Sequence, residues 1–300
     1  MQCLTMDQNP RRALRDLGPR LPRHSADQPL PDGTGNSSLN PRMSLGASLR
    51  MLSTDFDGTI HDDFGDPKIP HALQERIAAF QARGGHWVIN TGRDMASLME
   101  TLGRARVSVQ PDYLILVERE IFERKHDRFL PVEPWNSRCT EDHARLFQSV
   151  ATEMEQQIQS LSARHGATFY SDAFSPLCAI AQSILQMDEI HAELDIFCEG
   201  HPDLVAVRND IYIRLSHRGY SKGTALSELG RILGIGPEAR VAAGDHLNDL
   251  PMLRREHAHH LISPSNALAA VQLQVRAEGG WIASTTAGNG TLEGLIRLGF

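Results

Sequence analysis

The chain has 300 residues, of which 41 % are apolar and 22 % charged, and a formal net charge of −7. That length suits two compact domains, and the composition suits an ordinary soluble core. The acidic balance argues against a nucleic-acid surface, which relies on clustered Lys and Arg, and no apolar run approaches the roughly 20 residues that cross a bilayer.

Residues 1–48 are rich in Pro, Arg, Asn, Ser and Gly and show little apolar periodicity. The run from Pro29 to Asn36 is turn and linker chemistry. This composition predicts a disordered extension. Arg11, Arg12, Arg15, Arg20 and Arg23 keep a targeting segment open, though without the apolar centre of a secretory signal. Translation from Met43 or Met51 is a third reading. The four cysteines, Cys3, Cys139, Cys178 and Cys198, form no CxxC pair. They read as free thiols of a reducing, cytoplasmic compartment, with a buried disulfide left open.

Arg50 to Thr54 can enter a sheet as a buried strand, and Asp55-Phe56-Asp57-Gly58-Thr59 follows it. Two acids two residues apart, where a strand gives way to a glycine turn, share one small space. They repel unless a cation or a shared proton offsets them. An ordinary Asp- and Gly-rich turn is the alternative. Residues 72–83 predict an amphipathic helix with Leu73, Ile77 and Phe80 on one face. Gly84-Gly85 ends it, and a strand over 86–90 leads into Thr91-Gly92-Arg93. A helix over 95–103 and a strand over 113–117 continue the βαβ rhythm of a mostly parallel sheet.

The rhythm changes over 118–216. One long helix is predicted over 141–164, strands over 179–182 and 211–215, and a helix over 188–198. This mixture suits an α+β insertion. Ser221-Lys222-Gly223 then opens a helix over 223–233. A strand over 241–244 ends in Gly244-Asp245, before His246-Leu247-Asn248-Asp249 and a short helix over 250–255. The fold class is therefore α/β: a Rossmann-like, mostly parallel sheet over 49–117 and 217–300, with an inserted α+β cap over 118–216. Each polar cluster falls at a strand end or helix start, the edge where open α/β sheets bind ligands.

DFDGT at Asp55–Thr59, NTGR with Thr91, SKGTAL with Lys222 and GDHLND with Asp245 and Asn248-Asp249 occur in that order. Together they resemble the four motifs of the haloacid dehalogenase superfamily of phosphohydrolases. Their spacing resembles the Cof-type branch, with a type IIB cap between the second and third motifs. Ser265-Asn266-Ala267 and Asn289-Gly290-Thr291 resemble late elements of that branch, and the likeness spans about residues 49–300.

The resemblance implies Asp55 as nucleophile and Asp57 as general acid, protonated at the start in a crowded site. It implies Mg²⁺ held by the Asp55 carboxylate, the Asp57 backbone carbonyl and Asp245, with Asp249 a ligand through water or an anchor behind it. Thr91, Gly92, Lys222 and Asn248 would hold the phosphoryl group. Arg93 would reach the substrate or pair with a cap acid. The branch often carries Asn-Gly after the strand following NTGR. Here that place reads Val117-Glu118-Arg119, which implies leaving-group contacts through Glu118 or Arg119.

The expected activity is Mg²⁺-dependent hydrolysis of a small phosphorylated metabolite, such as a sugar phosphate, through an aspartyl-phosphate. The alternatives are a phosphomutase on hexose phosphates and a catalytically silent binding module. Asp57 argues against a dehalogenase, whose chemistry needs no acid there. His257, His259 and His260 read as surface histidines rather than a metal cluster.

Overall fold

The computed structural model describes residues 49–300, so the sequence readings for residues 1–48, Cys3 included, lie outside the described residues. Strands β1 (Met51–Thr54), β2 (His86–Asn90), β3 (Tyr113–Leu116), β4 (Glu120–Lys125) and β5 (Arg128–Pro131) precede four further strands of a separate sheet. The latter are β6 (Thr168–Tyr170), β7 (Cys178–Ile180), β8 (Leu204–Asn209) and β9 (Tyr212–His217). Strands β10 (Arg240–Ala243), β11 (His260–Ser263) and β12 (Trp281–Ile282) return to the first sheet. The eight-stranded sheet runs β12-β11-β10-β1-β2-β3-β4-β5, and the four-stranded sheet runs β6-β7-β9-β8. From β12 to β3 every pairing is parallel, and β4 and β5 add an antiparallel edge.

A parallel sheet must be covered on both faces, so its strands read as continuous apolar runs. Alternate residues serve opposite layers. Leu52, Ile89, Leu114 and Val241 pack with Leu73, Ile77 and Phe80 of helix α1 (His71–Ala82) and with Leu98 and Leu102 of α2 (Met95–Ala105). Met51, Val88, Ile115 and Ala242 face the other side. There they meet Leu226 and Leu229 of α6 (Lys222–Leu233) and Val271 and Val275 of α7 (Ala269–Ala277). Leu295 of α8 (Ala287–Arg297) joins the first layer.

The four-stranded sheet has its own core. Ala179, Leu204, Ile213 and Leu215 pack against Met187, Ile190 and Leu194 of α5 (Ile184–Glu199) and Met154 and Leu161 of α4 (Ala151–Arg164). The long helix expected over 141–164 is two helices. α3 (Trp135–Ser149) stops at Val150, whose φ of −107° and ψ of 6° leave the helical basin, and α4 restarts after it. Past residue 117, β4 and β5 belong to the large sheet, not to the small one. The short helix expected over 250–255 is instead a single 3₁₀ turn at Leu247–Asp249 followed by irregular turns. Cys139, Cys178 and Cys198 are free and buried. Among the described residues no helix is long and apolar enough to cross a membrane.

Candidate active site

Three adjacent parallel strands end together. Thr54 of β1 aligns with Ala243 of β10 and Ile89 of β2, so Asp55, Asp245 and Thr91 emerge at one edge of the sheet. The Asp55 backbone N–H donates to Ala243 O at 2.8 Å, which continues the ladder one residue past β1. Gly58 turns the chain with φ +72°, and a Cβ there would strike the Asp245 carboxylate. Glycine lets the β1 loop lie against the β10 loop.

Lys222 is the first residue of α6, whose start is fixed by a reciprocal cap. Thr224 N–H donates to Ser221 Oγ at 3.3 Å, and Ser221 N–H donates to Thr224 Oγ1 at 2.8 Å. From there Lys222, fully buried, donates to Asp55 Oδ1 and Asp249 Oδ1, each at 2.6 Å. Burial opposes its charge, but the two carboxylates outweigh it and hold its pKa above the ordinary value. Both Asp249 oxygens are engaged, Oδ1 by Lys222. Its Oδ2 accepts the Asp245 and His246 backbone N–H groups at 2.8 and 2.9 Å. Asp245 Oδ1 accepts from Thr59 Oγ1 at 2.7 Å and its Oδ2 from Asn266 Nδ2 at 3.2 Å.

One ligand atom each from Asp55, Asp245 and Asp249 lies within 4.8 Å of the others, with Asp55 and Asp249 buried and Asp245 at the margin of burial. Three carboxylates against one ammonium leave excess negative charge. Burial first, then repulsion from Asp249, pushes Asp245 up to about 7, partly relieved by Thr59. Asp55 is raised well above its ordinary value by burial and by Asp249, against the pull of Lys222. Such an all-oxygen, over-acidic group fits a hard divalent cation.

Asp57 faces another way. Its carboxylate receives Arg93 Nε at 2.6 Å and a second Arg93 nitrogen at 2.8 Å. Burial would raise its pKa, but hydrogen bonding and charge from His61 and Arg93 hold it to about 2. The Arg93 fork is the closer contact, because His61 Nδ1 stands 3.6 Å from Asp57 Oδ1. Asp57 is thus a carboxylate here, not the protonated acid expected from crowding. Arg93, expected to reach the substrate or pair with a cap acid, bonds no cap acid here but Asp57, Ser97 and Thr101.

Thr91 is buried, and its Oγ1 accepts the Arg93 backbone N–H at 3.2 Å. The β3–β4 turn locks onto this loop: Val117 N–H donates to Arg93 O and Glu118 N–H to Thr91 O. A Cβ on Gly92 would lie 3.1 Å from Glu118 Oε1. Asn248 Nδ2 donates to that same oxygen at 3.0 Å. Arg119 turns toward the small sheet, donating to Phe174 O and Ser216 Oγ. Sequence reading did not assign Thr59, which holds Asp245, or give Asn266 a role there. Asn266 donates to both Gly58 O and Asp245. His257 bonds Ser227 Oγ at 2.7 Å and belongs to no metal-binding group among the described residues.

A strand-end aspartate pair, a buried lysine reaching it from a helix start, and a second acidic strand end across a parallel sheet are the fold and site of the haloacid dehalogenase superfamily of phosphatases. A family model for sucrose-6F-phosphate phosphohydrolase matches residues 48–299, and the chain belongs to that family, a group of phosphoric monoester hydrolases. Among solved structures it is similar to the sucrose-phosphatase of Synechocystis sp. PCC6803, crystallised with sucrose and phosphate. The TM-score is 0.65 at 17 % identity, over 85 % of this chain and 99 % of that one. A haloacid dehalogenase-like hydrolase from Bacteroides thetaiotaomicron gives 0.57 at 16 % identity, over 84 % and 100 %. A subclass IIB sugar phosphatase gives 0.56 at 17 % identity, over 83 % and 99 %.

Proposed function

We propose that this phosphatase hydrolyses a small phosphorylated metabolite of the sugar-phosphate type, with Mg²⁺, through an aspartyl-phosphate on Asp55. The observation that carries the reading is the buried Lys222 bridge to Asp55 and Asp249, beside Asp245. Asp55 attacks phosphorus, and the ester oxygen leaves with a proton from Asp57. Asp57 then takes a proton from the water that cleaves the acyl phosphate. Asp57 first has to leave the Arg93 fork and take up a proton from solvent, because the pairing holds it as a carboxylate. Lys222 and the Thr91 hydroxyl steady the phosphoryl oxygens, with backbone N–H groups beside Gly58 and Gly92. The Asp55 and Asp245 carboxylates and the Asp57 backbone carbonyl would hold Mg²⁺, which supplies positive charge against the phosphate when bound.

A panel of phosphate esters assayed with and without Mg²⁺ tests this, with Asp55→Asn as the blank. Hydrolysis that needs Mg²⁺ and vanishes in Asp55→Asn is expected. Wild-type rates in Asp55→Asn would refute the nucleophile.

A further inference from the structure

One buried arginine touches the Gly92 loop and a second lies near it, and among the described residues neither makes an ion pair. Arg214, on β9, is 8 % exposed, and Arg119, just after the β3–β4 turn, is 4 % exposed. Among the described residues, no carboxylate oxygen lies within 4.0 Å of either guanidinium. Arg214 makes one bond at the limit, 3.4 Å to Gly92 O, and stands over the Tyr212 ring. One of its terminal nitrogens is buried with no partner at all, and so is Arg119 Nε.

The other buried guanidinium groups among the described residues are bonded. Arg240 spends all three nitrogens on Ile235 O and His257 O, and Arg208 pairs with Asp188. A buried charge left with open donors is costly unless an anion completes it. Glu118 does not do so. It is the carboxylate that most favours the Arg214 charge, yet its Oε1 is taken by Asn248. Glu118 also sits in a strained turn, with φ +69° following φ +44° at Val117, both poor for residues with side chains.

The loop that Arg214 touches begins at Thr91, on the phosphate side. Arg214 itself comes from the small sheet and reaches this loop at Gly92 O. We propose that the leaving group of the substrate carries a carboxylate, which Arg214 receives, with Arg119 adding charge behind it. This deepens the phosphatase reading above and rests on it. Glu118, Glu120 and Asp172 already offset much of the two guanidinium charges, which favours a singly charged carboxylate over a more highly charged second phosphate, and the planar fork of an arginine matches a carboxylate edge. The substrate class is a phosphorylated hydroxy or sugar acid.

Matched esters test it with the full chain and Mg²⁺: 6-phosphogluconate against glucose 6-phosphate, and 3-phosphoglycerate against glycerol 3-phosphate. In the wild type, kcat/KM is expected to favour the acid of at least one pair by about tenfold or more. Arg214→Met should bring that ratio near one, mainly by raising KM for the acid. Glu118→Gln removes the competing charge and should raise the ratio, and it decides the matter where Arg214→Met does not fold. A wild-type preference for both neutral esters would overturn the proposal, as would an equal loss on both members in Arg214→Met. An unchanged or lower ratio in Glu118→Gln would do so too. Absence of hydrolysis of all four esters and of p-nitrophenyl phosphate would instead overturn the phosphatase reading beneath it.

Discussion

Gly58 occupies a position that no other residue fills without cost, because its φ is +72° and a Cβ would displace the Asp245 carboxylate. Gly58→Ala should therefore lower stability by about 1–2 kcal/mol. It should also raise the Mg²⁺ concentration needed for half-maximal turnover. Denaturant unfolding and a Mg²⁺ titration of the rate read the two effects separately, and an unchanged Mg²⁺ dependence would show that Asp245 tolerates the shift. At this scale the acids were legible. Asp55 and Asp57 are neighbours in sequence, and a strand end followed by glycine fixes where they go. The Arg93–Asp57 fork was not legible, since it depends on how a side chain crosses between two loops 36 positions apart. The Asp55–Lys222 contact spans 167 positions. It was reached through motif resemblance, not through any local rule.

Helix α6 acts as the mount for Lys222, and its cap holds the first turn in place. Ser221→Ala removes the hydroxyl that accepts Thr224 N–H, so a loss of about 1 kcal/mol is expected, with slower turnover as Lys222 loosens. Thermal unfolding and initial rates check this, and a variant as stable as the wild type would show the cap to be idle. Helix α3 carries a second device. His143 Nε2 accepts the His217 N–H of β9 at 3.1 Å, so the ring proton sits on Nδ1 and goes to Cys139 O at 2.7 Å. Burial, aided by the Arg119 charge, holds His143 down to about 3 from an ordinary 6.5. Below that ordinary value the unfolded chain takes a proton that the folded ring refuses, so stability falls as pH falls, until the folded pKa is reached. A loss of roughly 2 kcal/mol from this group is expected between about pH 6.5 and about pH 4.5. Denaturant midpoints of the wild type and His143→Gln across that range should diverge by this amount, and parallel curves would contradict it. The break between α3 and α4 was hidden because Val150 carries no breaker signal. The β4–β5 hairpin was missed because Glu120–Lys125 is mostly charged and its partner at the sheet edge, Arg128–Pro131, buries little.

Across the described residues, the parallel order β10-β1-β2 brings one acid, one hydroxyl and a second acid to a common edge. The small sheet contributes Arg214 beside that edge. The alternation of strands and helices was readable from apolar runs, and so was the change of rhythm after residue 117. The strand order was not, because neighbours such as β1 and β10 pair over almost two hundred residues without a local signature. The sheet order sets Asp55 against a buried ammonium, and the direct test of Asp55 as the proposed nucleophile is capture of the acyl phosphate. Wild-type enzyme would be mixed with a ³²P-labelled phosphate ester that the panel shows to be turned over, then quenched in acid within one turnover and digested. Label on the peptide carrying Asp55, removable by hydroxylamine and absent in Asp55→Asn, is the expected result. Release of labelled phosphate at full rate by Asp55→Asn, or label held on a different residue, would contradict it.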